Sequence, residues 1–239
     1  MTWDWQFFLH DTGSGQTYLD WMLSAWGWTL SVSLLALVVA LVVGSLMGIF
    51  RTTPSKPLVW LGNAWTELFR NIPLLVQIFL WYHVIPSIFL SLRAVPSFVL
   101  VVFALGFFTS ARIAEQVRAG IQSLPKGQTY AGLATGLTRV QTYRYVLLPM
   151  AFRIILPPLS SEFLNIIKNS SVALTIGLIE LTAAARSMSE FSFQVFEAFT
   201  GATLIYIVVN VVVVAGMRWL ERRVAVPGFI SMGPPAAAH

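Results

Sequence analysis

The sequence predicts an all-α membrane protein of about five transmembrane helices, with its N-terminus outside. Three observations carry that expectation. Hydrophobic residues make up 56% of the 239-residue chain and charged ones only 10%, and mean hydropathy is +0.74, far from a soluble domain. Several uncharged runs are long enough, at about 1.5 Å per residue, to cross a hydrocarbon core of ~30 Å. Basic residues gather in alternate connections, as they do on the cytoplasmic side of membrane proteins.

The spans follow in order. The first twenty residues hold Asp4, Asp11 and Asp20 but no lysine or arginine, the reverse of a basic leader region, so 1–20 is expected to stay outside. Trp21 to Phe50 is uncharged and makes the first span, closed by Arg51, Pro54, Lys56 and Pro57. The tryptophans Trp3, Trp5, Trp21, Trp26 and Trp28 cluster about its outer start as an interfacial belt. Leu58 to about Pro86 forms a less regular second span, with Glu67 and Arg70 one turn apart and Pro73 inside. Ala94 to Ala111 forms most of the third, which runs into Arg112, Glu115 and Arg118. Ile154 to about Ile179 reads as a discontinuous fourth span broken by Pro157 and Pro158. Ala198 to Met217 is the last, closed by Arg218, Arg222 and Arg223. Residues 21–223 therefore form one transmembrane domain, with a polar loop over 119–153 and a tail over 224–239.

An odd span count and an outside N-terminus put Arg51, Lys56, Arg118, Lys126, Arg139, Arg144, Arg153, Arg218, Arg222 and Arg223 inside, leaving Arg93 and Arg186 outside. The formal net charge of +5 thus belongs to membrane-facing loops, and nucleic acid is not an expected partner. Cysteine is absent, and His10, His83 and His239 lie far apart, so no metal site is expected.

Within 119–153 the local chemistry is legible. Ala131, Gly132, Ala134 and Gly136 are small, which suits close helix packing, and Gly136 can end a helix in the left-handed conformation. Thr138 and Gln141 have the spacing of a capping box. Arg139 to Leu148 then forms a second short helix, with Val140, Tyr143 and Leu147 on one face and Arg139, Gln141, Thr142 and Tyr145 on others, stopped by Pro149. Such a basic helix-turn-helix can lie on anionic lipid, brace the bundle or dock a partner protein.

Ionisable groups inside the membrane are costly and mark pathways or internal pairs. Arg112, Glu115 and Arg118 stand at i, i+3 and i+6, and Glu162, Asn165, Lys168 and Asn169 at i, i+3, i+6 and i+7. The two stripes are expected to face one pathway. Internal pairing is the competing reading: Glu115 with Arg112 or Arg118, and Glu162 with Lys168 or a neighbouring helix. Glu67 and Arg70 read as a structural pair.

Ala131, Gly136 and the closing Val146-Leu147-Leu148-Pro149 resemble the E-A-A-x-x-x-G-x9-I-x-L-P signature of permease subunits of bacterial ATP-binding-cassette (ABC) importers. The stretches ELFRNIPLLVQIF (67–79), AEQVRAGIQSLPKGQ (114–128) and LPMAFRIILPPLSSEFLNIIKNSSVALTIGLIELT (148–182) resemble the polar amino acid uptake branch, with glutamate/aspartate permease subunits the nearest likeness. The resemblance implies a type I importer permease fold in the bacterial inner membrane. It also implies a second permease subunit, identical or different, a cytoplasmic ATPase dimer and a periplasmic solute-binding protein.

On that resemblance the loop is the coupling element seated on the ATPase, with Ala131, Gly132, Gly136, Arg139, Gln141, Arg144 and Pro149 as its residues. Tyr130 stands where the signature has glutamate, so docking would rest on shape around Gly136 and on the 139–145 helix. No G-x-x-x-x-G-K-[ST] loop occurs; the chain is expected to bind no cofactor, to be no enzyme, and to leave ATP to its partner. Arg112 occupies a position where the wider family tends to carry tyrosine. A guanidinium can hold a second carboxylate bidentately, so an acidic amino acid is the expected substrate. The alternatives are another polar amino acid such as glutamine, a self-contained channel or proton-coupled carrier using the two stripes as a relay, and a membrane scaffold.

Overall fold

The computed structural model describes residues 3–224, so the tail 224–239 lies, but for its first residue, outside the described residues. Among the described residues four helices are long and apolar enough to cross a membrane, or five spans if one bent pair is counted together. The first, α1 (Tyr18–Phe50), begins three residues before the uncharged run. There Thr17 and Asp20 form a capping box: the Asp20 N–H donates to Thr17 Oγ1 and the Thr17 N–H to Asp20 Oδ2, each at 3.1 Å, satisfying orphan donors of the first turn. Ahead of α1, a 3-10 turn (Trp5–Leu9) buries Phe7 against the outer core and leaves Trp3 and Trp5 stacked and exposed, ring centroids 5.5 Å apart.

The expected second span is two helices, α2 (Lys56–Asn71) and α3 (Leu74–Phe79), the latter continuing through a π turn into α4 (Ile85–Ile88). The two arms meet at 103°. The bend has a local cause: Pro73 forces Ile72 into an extended conformation, φ −97° and ψ 125°. Buried Gln77 then donates through Nε2 to the carbonyls of Phe69 and Ile72, both at 2.9 Å, which the broken helix leaves without amide partners.

Helix α5 (Ser97–Gln122) is a single rod that absorbs both the expected apolar run and the charged residues after it. It lies against α1 at very short range. Gly44 and Gly48 of α1, a G-x-x-x-G spacing, face Ile113, Ala114 and Val117; a Cβ on Gly44 would sit 2.7 Å from the Ile113 Cβ. Small residues of this kind let helix backbones approach in lipid, where van der Waals contact replaces the hydrophobic effect as the adhesive.

After α5 come α6 (Lys126–Ala134) and α7 (Arg139–Thr142), and then α8 (Leu148–Asn169), reached through a π turn at Tyr143–Leu147. Three expectations change here. Pro149 does not stop the second short helix, which runs on into α8. A proline lacks the N–H for its i−4 carbonyl, and the helix widens just before it: Leu148 N–H bonds Tyr143 O, one residue further back than in an α-helix. The same device precedes Pro86, where Ile85 N–H bonds Leu80 O. Pro157 and Pro158 do not break α8 either, and the chain leaves it only after Asn169, through a 3-10 turn (Ser170–Ile176) to left-handed Gly177. Finally, Val140 points out and is 76% exposed, while Thr142 is buried under α6.

A short helix, α9 (Leu181–Ser192), precedes the last span, α10 (Val195–Val224). Among the described residues three apolar clusters hold the bundle. One lies at the outer end around Phe7, Met22, Leu181 and Met188; one in the middle around Val32, Val101, Leu105 and Ile166; one at the basic end around Ile113, Val117, Leu147 and Ile155.

Candidate functional site

The two expected stripes meet, but not as equals. On α5, Phe108, Arg112 and Gln116 succeed one another at i, i+4 and i+8 and so share a face. Across from them α8 presents Glu162, whose side chain is 8% exposed. Arg112 Nε lies 3.1 Å from Glu162 Oε2, and Gln116 Nε2 donates to Glu162 Oε1 at 3.3 Å. The guanidinium also sits over the Phe108 ring, 4.6 Å from its centroid. The ion pair is off-line for a hydrogen bond: buried Nε and Nη2 of Arg112 and Oε2 of Glu162 have no hydrogen-bond partner among the described residues. The pair is neutral overall, with spare donors on one side and a spare acceptor on the other.

Glu162 therefore pairs with a neighbouring helix and not with Lys168. Lys168 is exposed one and a half turns further along α8, with no acidic partner among the described residues, and Asn165 and Asn169 are half-buried on the same helix.

Glu115 and Arg118 belong to a different cluster. Glu115 receives Arg51 at 3.0 Å, Arg118 at 3.1 Å and Arg70 at 3.5 Å. Arg70 also holds Glu67 at 2.9 Å, and Arg51 Nε donates to Asn63 Oδ1 at 2.8 Å. The basic ends of α1, α2 and α5 are thus tied to one carboxylate. Sequence spacing reached the Glu115–Arg118 and Glu67–Arg70 contacts but not Arg51 or the reach of Arg70. The available signal was that several cations and one acid fall at a single depth of the bundle.

The loop over 119–153 folds as the spacing suggests in most respects. Leu137 N–H bonds Gly132 O and Gly136 N–H bonds Leu133 O, a Schellman closure of α6. Gly136 has φ +85°, which a side chain would strain. Thr138 and Gln141 complete the reciprocal box, with Thr138 N–H donating to Gln141 Oε1 at 2.8 Å. Gly132 presses on Thr142, where a Cβ would come within 2.8 Å of Cγ2. Tyr143 Oη donates to the Thr52 carbonyl at 2.8 Å and pins the loop to the turn after α1. Ala131, Arg139 and Arg144 remain exposed, as does Tyr130 at 67%.

One polar group escaped the sequence reading. Glu180 is fully buried and caps α9, accepting from Thr182 N–H at 3.0 Å, Ala183 N–H at 2.7 Å and Tyr206 Oη at 3.0 Å. Burial pushes its carboxyl above the usual carboxylate range, against those donors. Leu181 N–H completes the joint by donating to Thr29 Oγ1 on α1 at 3.0 Å. Glutamate is not a preferred N-cap residue, which is why spacing alone passed over it.

Comparison with known proteins is consistent across sequence and structure. Residues 40–226 match the family of binding-protein-dependent transport system inner membrane components. The glutamate/aspartate import permease protein GltJ of Escherichia coli is 45% identical over 237 residues, covering 95% of this chain and 96% of that one. The glutamine transport system permease protein GlnP of Escherichia coli is 35% identical over 202 residues, 83% and 90% of the two chains. A crystal structure of an amino acid ABC transporter with histidines superposes with a TM-score of 0.77 at 30% identity, covering 93% of this chain and all of that one.

Proposed function

Because the chain belongs to the family of binding-protein-dependent transport inner membrane components, we propose that it carries an acidic amino acid, glutamate or aspartate, across the bacterial inner membrane. The chain is a permease subunit of an ABC amino acid importer with the type I fold, not an enzyme, and ATP is hydrolysed by a separate subunit.

The observation that supports an acidic substrate is the charge pattern between α5 and α8. Arg112 has donors uncommitted beside Glu162, and Lys168 follows on the same helix. Two cations and one carboxylate match a ligand with two carboxylates and one ammonium. Arg112 takes one carboxylate bidentately, Glu162 takes the ammonium, Lys168 the second carboxylate, and Asn165 and Asn169 line the way. Glu115 and Arg118 close the inner end of that route by bracing α5. The 45% identity to a glutamate/aspartate permease points the same way.

A solute-binding protein outside delivers the ligand, and the permease pairs with a second subunit of its kind. The loop over 119–153 is the coupling element: Ala131, Gly132 and Gly136 set its shape, Gln141 its cap, Arg139 and Arg144 its charge, and Pro149 its widened junction with α8. It seats on an ATPase dimer.

The test is uptake by the reconstituted assembly across glutamate, aspartate, glutamine and histidine. Arg112→Tyr is expected to cut acidic uptake at least tenfold, about the value of one charged bidentate contact, and to erase the preference over glutamine. Retention of both acidic uptake and that preference would sink the reading. A glutamine carrier is the second reading, favoured by the 35% identity to a glutamine permease, and the same panel separates the two.

A further inference from the structure

Beneath the loop, on the side facing the bundle, lies a cavity of about 420 Å³ that none of Arg112, Glu162 and Lys168 lines. Its walls are the turn after α1, the last turn of α5, and helices α6 and α7. Three cations line it, Arg51, Lys126 and Arg139, and no acidic residue does. Arg51 is committed to Glu115 and Asn63. Lys126 and Arg139 are not: neither has a carboxylate within ion-pair distance among the described residues.

The floor of the cavity is apolar. Ile121, Leu124 and Leu147 line it, each buried in the cluster at the basic end of the bundle. Lys126 also opens α6, whose first turn has no side-chain cap, so its free N–H groups add partial positive charge at the same mouth. Cationic walls over an aliphatic floor, at the depth where the spans end and the basic loops begin, form an amphipathic receptor. Basic pockets between spanning helices at a cytoplasmic surface suit the phosphate of a membrane lipid, whose glycerol and acyl ends need an apolar neighbour.

We infer that this cavity binds a phosphate-ester anion through Lys126 and Arg139, with the headgroup of an anionic phospholipid its resident ligand. Its place gives it a role. The cavity touches both the turn after α1, pinned by Tyr143, and the loop helices that move with the ATPase in the proposed function. A ligand there stiffens the joint between them.

The experiment is native mass spectrometry of the purified assembly with phosphatidylglycerol or phosphatidylcholine, and a parallel arm with inorganic phosphate. Wild-type protein is expected to retain phosphatidylglycerol in preference to phosphatidylcholine. Lys126→Gln and Arg139→Gln should each weaken retention about fivefold, the worth of one cation near an anionic surface, with the double variant weaker still and Lys126→Arg restoring it. If millimolar phosphate displaces the lipid from wild type, the anion site is open to both sources. If phosphatidylglycerol alone binds, the source is the membrane. Equal retention of the two lipids, or full retention by a double variant with an unchanged thermal midpoint, overturns the inference. Lipid retention is read without transport, so its failure would leave the substrate reading standing, and failure of the uptake panel would leave this one.

Discussion

Glu115 and Glu162 are neutralised within two turns of the same helix, and they are neutralised differently. Glu115, on α5, gathers three guanidiniums from three places in the chain and remains 27% exposed. Glu162 reaches α5 from α8, is 8% exposed, and meets one guanidinium and one amide. An acid surrounded by surplus cations at a wet boundary is a fastening, because losing one contact leaves others. A buried acid with a single cationic partner has no such reserve, and that cation keeps donors it has not used. The difference teaches where a ligand could intervene: under the proposed function a substrate carboxylate takes the donors that Arg112 leaves unused, whereas the cations around Glu115 are all engaged in joining α1, α2 and α5.

The largest effect expected is from breaking the pair between α5 and α8. Arg112→Ala leaves Glu162, 8% exposed, with the Gln116 amide and no cation. Because Arg112 itself is 37% exposed, the cost falls at the low end of that for breaking a buried pair, about 3 kcal/mol; thermal unfolding of the detergent-solubilised protein measures it. Replacing both, Arg112→Leu with Glu162→Leu, should recover most of that stability while leaving acidic uptake lost. Were the double variant as unstable as the single, the pair would have to be judged a structural brace like Glu115.

A smaller loss is expected at the fastening. Glu115→Gln keeps one acceptor for three cations and should cost about 2 kcal/mol, in the range of hydrogen bonds to charged groups, with substrate preference unchanged in the uptake panel. A shift in preference would place Glu115 in the route after all. The smallest effect belongs to the outlying member of that cluster. Glu67→Ala removes a pair whose two side chains are about half exposed, and such pairs contribute about 0.5 kcal/mol; it should be barely measurable, and less so in high salt.

Much of this molecule is readable from short stretches of text. The uncharged runs foretold the spans, the alternation of basic loops foretold a basic end, and Thr138, Gln141 and Gly136 foretold a cap and a left-handed turn that the structure shows in detail. These succeed because each depends on residues within a turn or two, where hydropathy, hydrogen-bond geometry and φ preference act locally. Prolines are less legible for the same reason. Pro73 bends the chain by 103° because Gln77 supplies donors to the broken end, whereas Pro149 sits in a continuous helix behind a widened turn. A proline specifies only that an N–H is missing; what happens next depends on which neighbours answer the free carbonyl.

By itself, then, the sequence determined that the chain lives in a bilayer, how its spans are ordered, how the loop over 119–153 is punctuated and which family it resembles. The tertiary structure alone decided who pairs with whom. Glu162 chose Arg112 on another helix over Lys168 on its own, Glu115 collected Arg51 and Arg70, and Glu180 found Tyr206 and two amides. The physical reason is that charge partners across a bundle are set by the axial register of packed helices. That register depends on how closely Gly44 and Gly48 let α1 approach Ile113, Ala114 and Val117, a fit no single segment encodes.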